Sequence, residues 1–230
     1  MLYILPAEHT TERQLPFYLA MEEYVARTLP PADYFFMWQV PPTVIFGRNQ
    51  VIDNEVNVAY CHEHGINIFR RKSGGGCVYA DRQNLMLSFV TPETNVGLAF
   101  NRYVGMLQLV LRKLGVEAVG TSHNDVLIDG CKVSGTASYH LPTASIVHGT
   151  LLYDTQMEHM LNAITPGPEK LEAKGIQSVR QRITLLKDHV TLSLDELKDF
   201  IRQTLCTETL TLSAESVASI EKMEQEYEHY

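Results

Sequence analysis

Apolar positions along this chain fall into short runs broken by glycine and proline, with longer 3.6-residue patterns between them. Residues 2–5 form a predicted strand ended by Pro6. Residues 12–28 place Leu15, Leu19, Met21, Tyr24 and Val25 on one side of a helix. Phe35 to Val40 is a strand, Pro41-Pro42 a turn, and Thr43 to Gly47 the next strand. Asn54 to His64 forms a helix stopped by Gly65, Leu85 to Val90 a strand, and Asn95 to Leu114 a helix with Gly115 at its stop. Asp125–Ile128 and Cys131–Val133 flank an Asp129-Gly130 turn and predict a hairpin. Ser145 to Leu152 is a further strand. Helical segments follow Asp154, broken at Pro166 and Pro168, and Leu194 to Leu205 is amphipathic. The polar end, Ile220 to Tyr230, has few residues to bury and reads as a helical connector. Strands and helices mix without regular βαβ alternation, so the expected class is α+β, with mostly antiparallel mixed sheets flanked by helices, not a doubly wound sheet.

The stretch from Arg70 to Asp81 changes the picture from fold to chemistry. It reads Arg70-Arg71-Lys72-Ser73-Gly74-Gly75-Gly76-Cys77-Val78-Tyr79-Ala80-Asp81. Three glycines bring backbone N–H groups close to a ligand, and three cations with a hydroxyl stand before them. Ile66, Ile68 and Phe69 before the run and Val78 and Tyr79 after it predict strand, turn, strand. The spacing is not that of a phosphate-binding P-loop, which leads into a helix. An anion site, most economically for phosphate, fits the run; so does a plain glycine-rich turn.

Composition narrows the partners. The chain has 230 residues, a net charge of −8, 45% hydrophobic and 20% charged residues. One large domain can bury a sufficient core without disulfides at this length. The acidic balance argues against a general nucleic-acid surface, so any useful cations are local. Cys61, Cys77, Cys131 and Cys206 show no paired spacing, which fits reduced thiols in the cytoplasm better than a disulfide or zinc framework. No signal peptide and no membrane span is expected.

Three further clusters carry chemistry. Lys132 follows the Asp-Gly turn, and strand alternation predicts that it shares a face with Ser134, near Gly135. Such a lysine suits a second anion or a carbonyl on which charge develops; a solvent-facing strand lysine is the alternative. His148-Gly149-Thr150 lies on a strand, and Lys174, Arg180 and Arg182 form a basic loop. Cys77 and Cys131 lie inside the two best clusters and are candidate thiol nucleophiles if nearby cations lower their pKa.

Taken together, the ordered motifs resemble the lipoate–protein ligase A family, within the biotin/lipoate protein ligase fold. They are Ala20-Met-Glu-Glu23, Phe46-Gly-Arg-Asn-Gln50, Asn54-Glu-Val-Asn57, the 70–81 run, Asn84, Asn124-Asp125, Gly130 to Ala137, His148 to Leu152, and Lys174 to Arg182. The resemblance implies a two-step reaction. Lipoate and MgATP give lipoyl-AMP, and the ε-amine of a lysine on an acceptor then takes the lipoyl group. Acceptors are the lipoyl domains of 2-oxoacid dehydrogenase E2 subunits and the glycine-cleavage H protein. By this resemblance Lys132 is the catalytic residue. Arg71, Ser73, Gly74, Gly75, Gly76, Ser134, Gly135, His148 and Gly149 join it in lining the lipoyl-AMP pocket. Val78, Tyr79, Asn84 and His148 lie near the adenine. Lys174, Arg180 and Arg182 belong to a loop that closes; Asp125, by its charge, is the candidate for the Mg²⁺ environment.

The chain departs from the family pattern at Tyr139 and His140, where an arginine is frequent, and at Ala80, where a histidine is frequent. The resemblance also implies a catalytic domain over 1–205 and a connector over 206–230, leading toward an accessory domain absent from the chain. A trimmed ligase, a catalytic half working with a separate subunit, and a transferase that needs no adenylation are the three explanations. An octanoyl- or lipoyl-transferase would use a cysteine acyl-enzyme, and the position expected for that cysteine is Ser145. A non-catalytic lipoate or lipoyl-AMP sensor is the reading from another class.

Overall fold

The computed structural model describes residues 1–121, 125–164, 182–227 and 229–230. Its strands are β1 (Leu2–Leu5), β2 (Tyr34–Trp38), β3 (Thr43–Phe46), β4 (Asn67–Arg70), β5 (Val78–Ala80), β6 (Asn84–Thr91), β7 (Val119–Gly120), β8 (Asp125–Ile128), β9 (Cys131–Leu141), β10 (Ala144–Leu152) and β11 (Glu208–Thr211). The helices are α1 (Leu15–Thr28), α2 (Ile52–Glu55), α3 (Val58–Glu63), α4 (Val96–Lys113), α5 (Met157–Ala163), α6 (Leu194–Leu205) and α7 (Ala214–Glu224). Eight strands form one sheet in the order β11-β1-β2-β6-β10-β9-β8-β7, and β4-β3-β5 form a second. The expected α+β architecture is present. Among the described residues no helix is long and apolar enough to cross a membrane.

Alternation on the central strands explains why they read as continuous apolar runs. On β2, Tyr34, Phe36 and Trp38 join a core under α1 and α7, while Phe35 joins the opposite core under α4 and α6. On β6, Met86 and Val90 face the first core and Leu85, Leu87 and Phe89 the second. A sheet covered on both faces needs apolar residues at successive positions. The small sheet has its own core with α3 and α5, built on Val44, Phe46, Ile68, Tyr79 and Met160.

Four local readings change. The helix expected over 54–64 is two, because Asn57 turns the chain and caps α3 by accepting from Tyr60 N at 3.1 Å. The strands around the glycine turn do not pair with each other. They flank β3, with β4 parallel to it and β5 antiparallel. β9 runs on to Leu141, paired with β10. In the segment expected as a connector, β11 pairs with β1, α7 buries Val217 and Ile220 beneath α1, and His229 pairs with Phe69. Its charged residues hide two apolar positions three apart, enough for a short helix to pack. The Asp129-Gly130 hairpin holds, with φ of 50° and 78° at the two turn residues.

Candidate functional site

The cleft between the two sheets opens into a cavity of about 560 Å³. One end is apolar, lined by Leu15, Leu19, Trp38, Ile45 and Met86; the other is polar, with Arg71, Asp125, Lys132 and His148. A second cavity of about 220 Å³ shares Cys77, Val78, Lys132 and Thr150 with the first. It continues over Tyr79, Met160, Ile164 and Ile183. Lys132 stands where the two spaces meet.

Arg71 organises the glycine turn from inside. Its Nη2 donates to the carbonyls of Gly74 and Gly76 at 2.7 and 2.8 Å, and Nη1 donates to Ile45 O at 3.0 Å. The turn therefore wraps around a guanidinium that is 5% exposed. It has no carboxylate partner among the described residues, and burial lowers its pKa to about 10. It remains a cation at neutral pH, buried without a counter-ion, a costly state that an arriving anion relieves. Gly75 sits at φ 88°, and a Cβ at Gly47 would lie 2.0 Å from Gly75 O. Both glycines let two loop backbones meet at van der Waals distance.

Behind the turn, five side chains form one buried hydrogen-bond chain. Trp38 Nε1 donates to Ser88 Oγ at 2.8 Å, and that hydroxyl donates to Glu22 Oε1 at 2.5 Å. Glu22 Oε2 lies 2.9 Å from His148 Nδ1, and His148 Nε2 lies 2.8 Å from Ser73 Oγ. With Nδ1 protonated, every donor meets an acceptor and the hydroxyl of Ser73 donates to Nε2. Ser73 does not line the cavity. Its hydroxyl anchors the turn to the floor of the cleft, so the order carboxylate–imidazole–hydroxyl ends on a serine that does not face the cavity.

Lys132 reaches the cavity because of a bulge. The register runs Val126↔Ser134 but Leu127↔Lys132, so Val133 is extra. Strict alternation, which predicted Lys132 and Ser134 on one face, fails at that point. Lys132 lines both cavities, whereas Ser134 is fully buried away from them. Lys132 Nζ lies 2.8 Å from Asp125 Oδ1. Asp125 is thus occupied by the lysine, and among the described residues no group of three or more His, Cys, Asp or Glu is placed to hold a metal ion. Arg182 O accepts from Lys132 N at 2.6 Å, which brings the end of the basic loop beside the lysine. Lys174 and Arg180 lie outside the described residues.

Gly75, Gly76, Gly135, Gly149 and Val78 line the first cavity with Arg71, Lys132 and His148, and Tyr79 lines the second. Gly74 contributes through its carbonyl to Arg71. Asn84 is buried below, donating to Tyr79 O at 3.1 Å, and reaches neither cavity. Cys77 borders both cavities, but burial pushes its thiol up to about 12, so it is not a thiolate at neutral pH. Ser145 is buried on β10.

Sequence pattern put Leu15 and Leu19 on one side of the first helix and Glu22 in the 20–23 motif without assigning any of them to the site, yet helix spacing links them. They stand four and seven residues apart on the α1 face that meets the cleft. A carboxylate on that apolar stripe was the available signal. Trp38 and Met86 carried no signal that separates cavity wall from core.

An apolar slot ending at two cations suits a carboxylate with a hydrocarbon tail, and the second cavity suits a flat ring with a polar edge. Comparison with known proteins identifies the family. The profile described as Lipoyl protein ligase A/B catalytic domain matches residues 14–206. The chain is 36% identical over 213 residues to lipoate–protein ligase 1 of Staphylococcus aureus, covering 89% of this chain and 65% of that one. Its fold is similar to that of a bi-partite lipoate protein ligase from Thermoplasma acidophilum, solved in a study that includes its E2 lipoyl domain. The TM-score is 0.84 at 24% identity, covering 98% of this chain and 92% of the other. It is also similar in fold to a lipoate–protein ligase A bound with ATP, with TM-score 0.80 at 22% identity over 98% and 93% of the two chains.

Proposed function

Because this chain belongs to the lipoyl protein ligase A/B catalytic-domain family, we propose that it activates lipoate with ATP and transfers the lipoyl group to a protein lysine. The observation that carries this reading is the position of Lys132 where the apolar slot meets the second cavity, with the uncompensated Arg71 beside it. Lipoate lies with its ring and chain along Leu15, Leu19, Trp38 and Met86, and its carboxylate at Lys132. The adenine lies over Val78 and Tyr79 in the second cavity.

In the first step a carboxylate oxygen attacks the α-phosphorus, and the bond to pyrophosphate breaks. Lys132 leaves Asp125 to neutralise the charge that gathers between acyl and phosphoryl oxygens. Arg71 and the N–H groups of the glycine turn hold the phosphate. Mg²⁺ would arrive with the nucleotide; Asp125 is the residue that would help hold it, and the ion would supply charge neutralisation. In the second step the acceptor ε-amine attacks the acyl carbon, the acyl–phosphate bond breaks, AMP leaves and the amine loses a proton. Lys132 polarises the carbonyl throughout. Acceptors are lipoyl domains of E2 subunits and the glycine-cleavage H protein. The chain spans 65% of the Staphylococcus relative's length.

The test is intact mass of a purified apo lipoyl domain, supplied with lipoate, ATP and Mg²⁺ or with preformed lipoyl-AMP. Modification from lipoate and ATP marks a complete ligase. Modification from lipoyl-AMP alone marks a transfer half awaiting its activating partner. Loss of either with Lys132→Ala supports the assignment. No modification from either donor overturns it and leaves a binder of the adenylate.

A further inference from the structure

The basic run alternates. Arg71 points into the cleft, whereas Arg70 and Lys72 point to the back of the turn, where Glu226, Tyr227, His229 and Tyr230 meet them or the strand before them. His229 pairs with Phe69 and stacks on its ring at 4.5 Å, and Tyr230 N donates to Ile68 O at 3.0 Å. Arg70 Nε and Nη2 donate to the hydroxyl of Tyr230 at 3.2 and 3.1 Å. The same guanidinium lies 4.5 Å from the centre of the Phe46 ring and 5.5 Å from that of Tyr230, and the two rings meet edge to face at 5.2 Å. Lys72 Nζ lies 3.1 Å from Glu226 Oε2, 2.7 Å from Glu23 Oε2 and 4.8 Å from the centre of the Tyr227 ring.

These contacts lead forward to the cavity. Arg70 Nη1 donates to the carbonyls of Arg48 and Gln50 at 3.1 and 3.0 Å. Arg48 N in turn donates to Ser73 O at 3.0 Å, beside the Gly47–Gly75 approach. The 47–50 loop and the glycine turn are thus drawn together through one arginine held from behind. A turn with three glycines has little rigidity of its own, so its shape depends on such outside contacts.

We propose that Glu226, Tyr227, His229 and Tyr230 form a clasp that positions the glycine turn and Arg71 for substrate. They are positioning residues: none lines either cavity. The clasp rests on the ligase reading for its effect on substrate affinity, but not for its effect on the turn.

The experiment is amide hydrogen exchange of residues 69–76 in the full chain, with α4 as internal control, alongside lipoyl transfer from lipoyl-AMP. Variants are Tyr230→Ala and Tyr230→Phe. Losing the ring and hydroxyl of Tyr230 should speed exchange in 69–76 about fivefold, with α4 unchanged. KM for lipoyl-AMP should rise about three- to fivefold with kcat nearly kept, because a positioning contact outside the cavity acts on binding. Tyr230→Phe, which keeps the ring over Arg70, should fall between. Unchanged exchange in 69–76 overturns the clasp, as does faster exchange with an unchanged KM. If the wild type transfers nothing, the ligase reading fails and exchange alone decides the clasp.

Discussion

Glu22 and His148 share a buried hydrogen bond of 2.9 Å between a helix and the central strand of the sheet. Glu22 is 3% exposed and accepts from both Ser88 and the imidazole, so its charge is spread over two donors in place of water. Through His148 the first helix reaches Ser73 and the basic turn; through Ser88 it reaches Trp38 at the wall of the apolar slot.

Glu22→Ala removes the acceptor at the centre of this chain. Two buried donors, Ser88 and His148, are left unmatched, at about 1–3 kcal/mol for an unsatisfied group. In a domain of this size that lowers the melting temperature by roughly 2–4 °C per kcal/mol. Glu22→Gln keeps one acceptor oxygen but adds an N–H that meets a donor, so it should recover only part of the loss. Differential scanning calorimetry of both variants checks the order wild type, Gln, Ala. Equal melting for all three would mean the chain is not formed as described.

A second expectation concerns Gly135. A Cβ there would lie 2.7 Å from both Cε and Nζ of Lys132. The clash is with the far end of a flexible side chain, so Gly135→Ala should fold with a melting point near that of the wild type. It should instead displace the ammonium from its place between the cavities. Misplacing a charge-stabilising group by about an ångström costs on the order of 10²-fold in rate. Circular dichroism melting together with lipoyl transfer separates the two effects. Normal transfer by Gly135→Ala would remove Lys132 from the reaction.

Much of this was legible in sequence. The strands at 2–5, 35–40 and 85–90 announce themselves as short apolar runs and the helix at 95–114 by its 3.6-residue period, each with a glycine or proline stop nearby. Arg71, Lys132 and His148 could be picked out because their neighbours are the wrong residues for a plain turn or strand. What was not legible depends on register and distance. The bulge at Val133 that parts Lys132 from Ser134 adds no unusual residue type. Pairing of β4 and β5 with β3, not with each other, follows from the cleft between the sheets. The packing within 206–230 was hidden by charge, since Val217 and Ile220 bury, and the rings of Tyr227, His229 and Tyr230 make contact, against partners some 150 to 200 positions away.

Cys77 tests the acyl-enzyme alternative directly. Burial raises its thiol to about 12, so the thiol stays protonated at pH 8. Iodoacetamide should leave it unmodified in the folded protein at pH 8 and label it after unfolding, as read by peptide mass spectrometry. Cys77→Ala should keep transfer within a few-fold of wild type. Abolished transfer would instead assign the thiol a covalent role.

Arg71→Lys asks whether the site needs a cation or a guanidinium. A lysine ammonium keeps the charge, but it is a compact point on a flexible stem and cannot span three carbonyls set around a planar fork. Ile45 O, Gly74 O and Gly76 O would lose at least one donor, and the turn would lose the side chain it wraps. The same burial that lowers the arginine to about 10 acts on a lysine that starts about two units lower, so the ammonium there would titrate toward neutral pH. Its charge would be present at low pH and lost as pH rises through that depressed value. Transfer by Arg71→Lys should therefore be weak at pH 8 and partly recover toward pH 6, whereas Arg71→Met should stay low at every pH. Rates for the three proteins between pH 6 and 9 decide it. A flat, wild-type-like profile for Arg71→Lys would show that the charge alone suffices and that the wrapping of the turn around the fork does not matter.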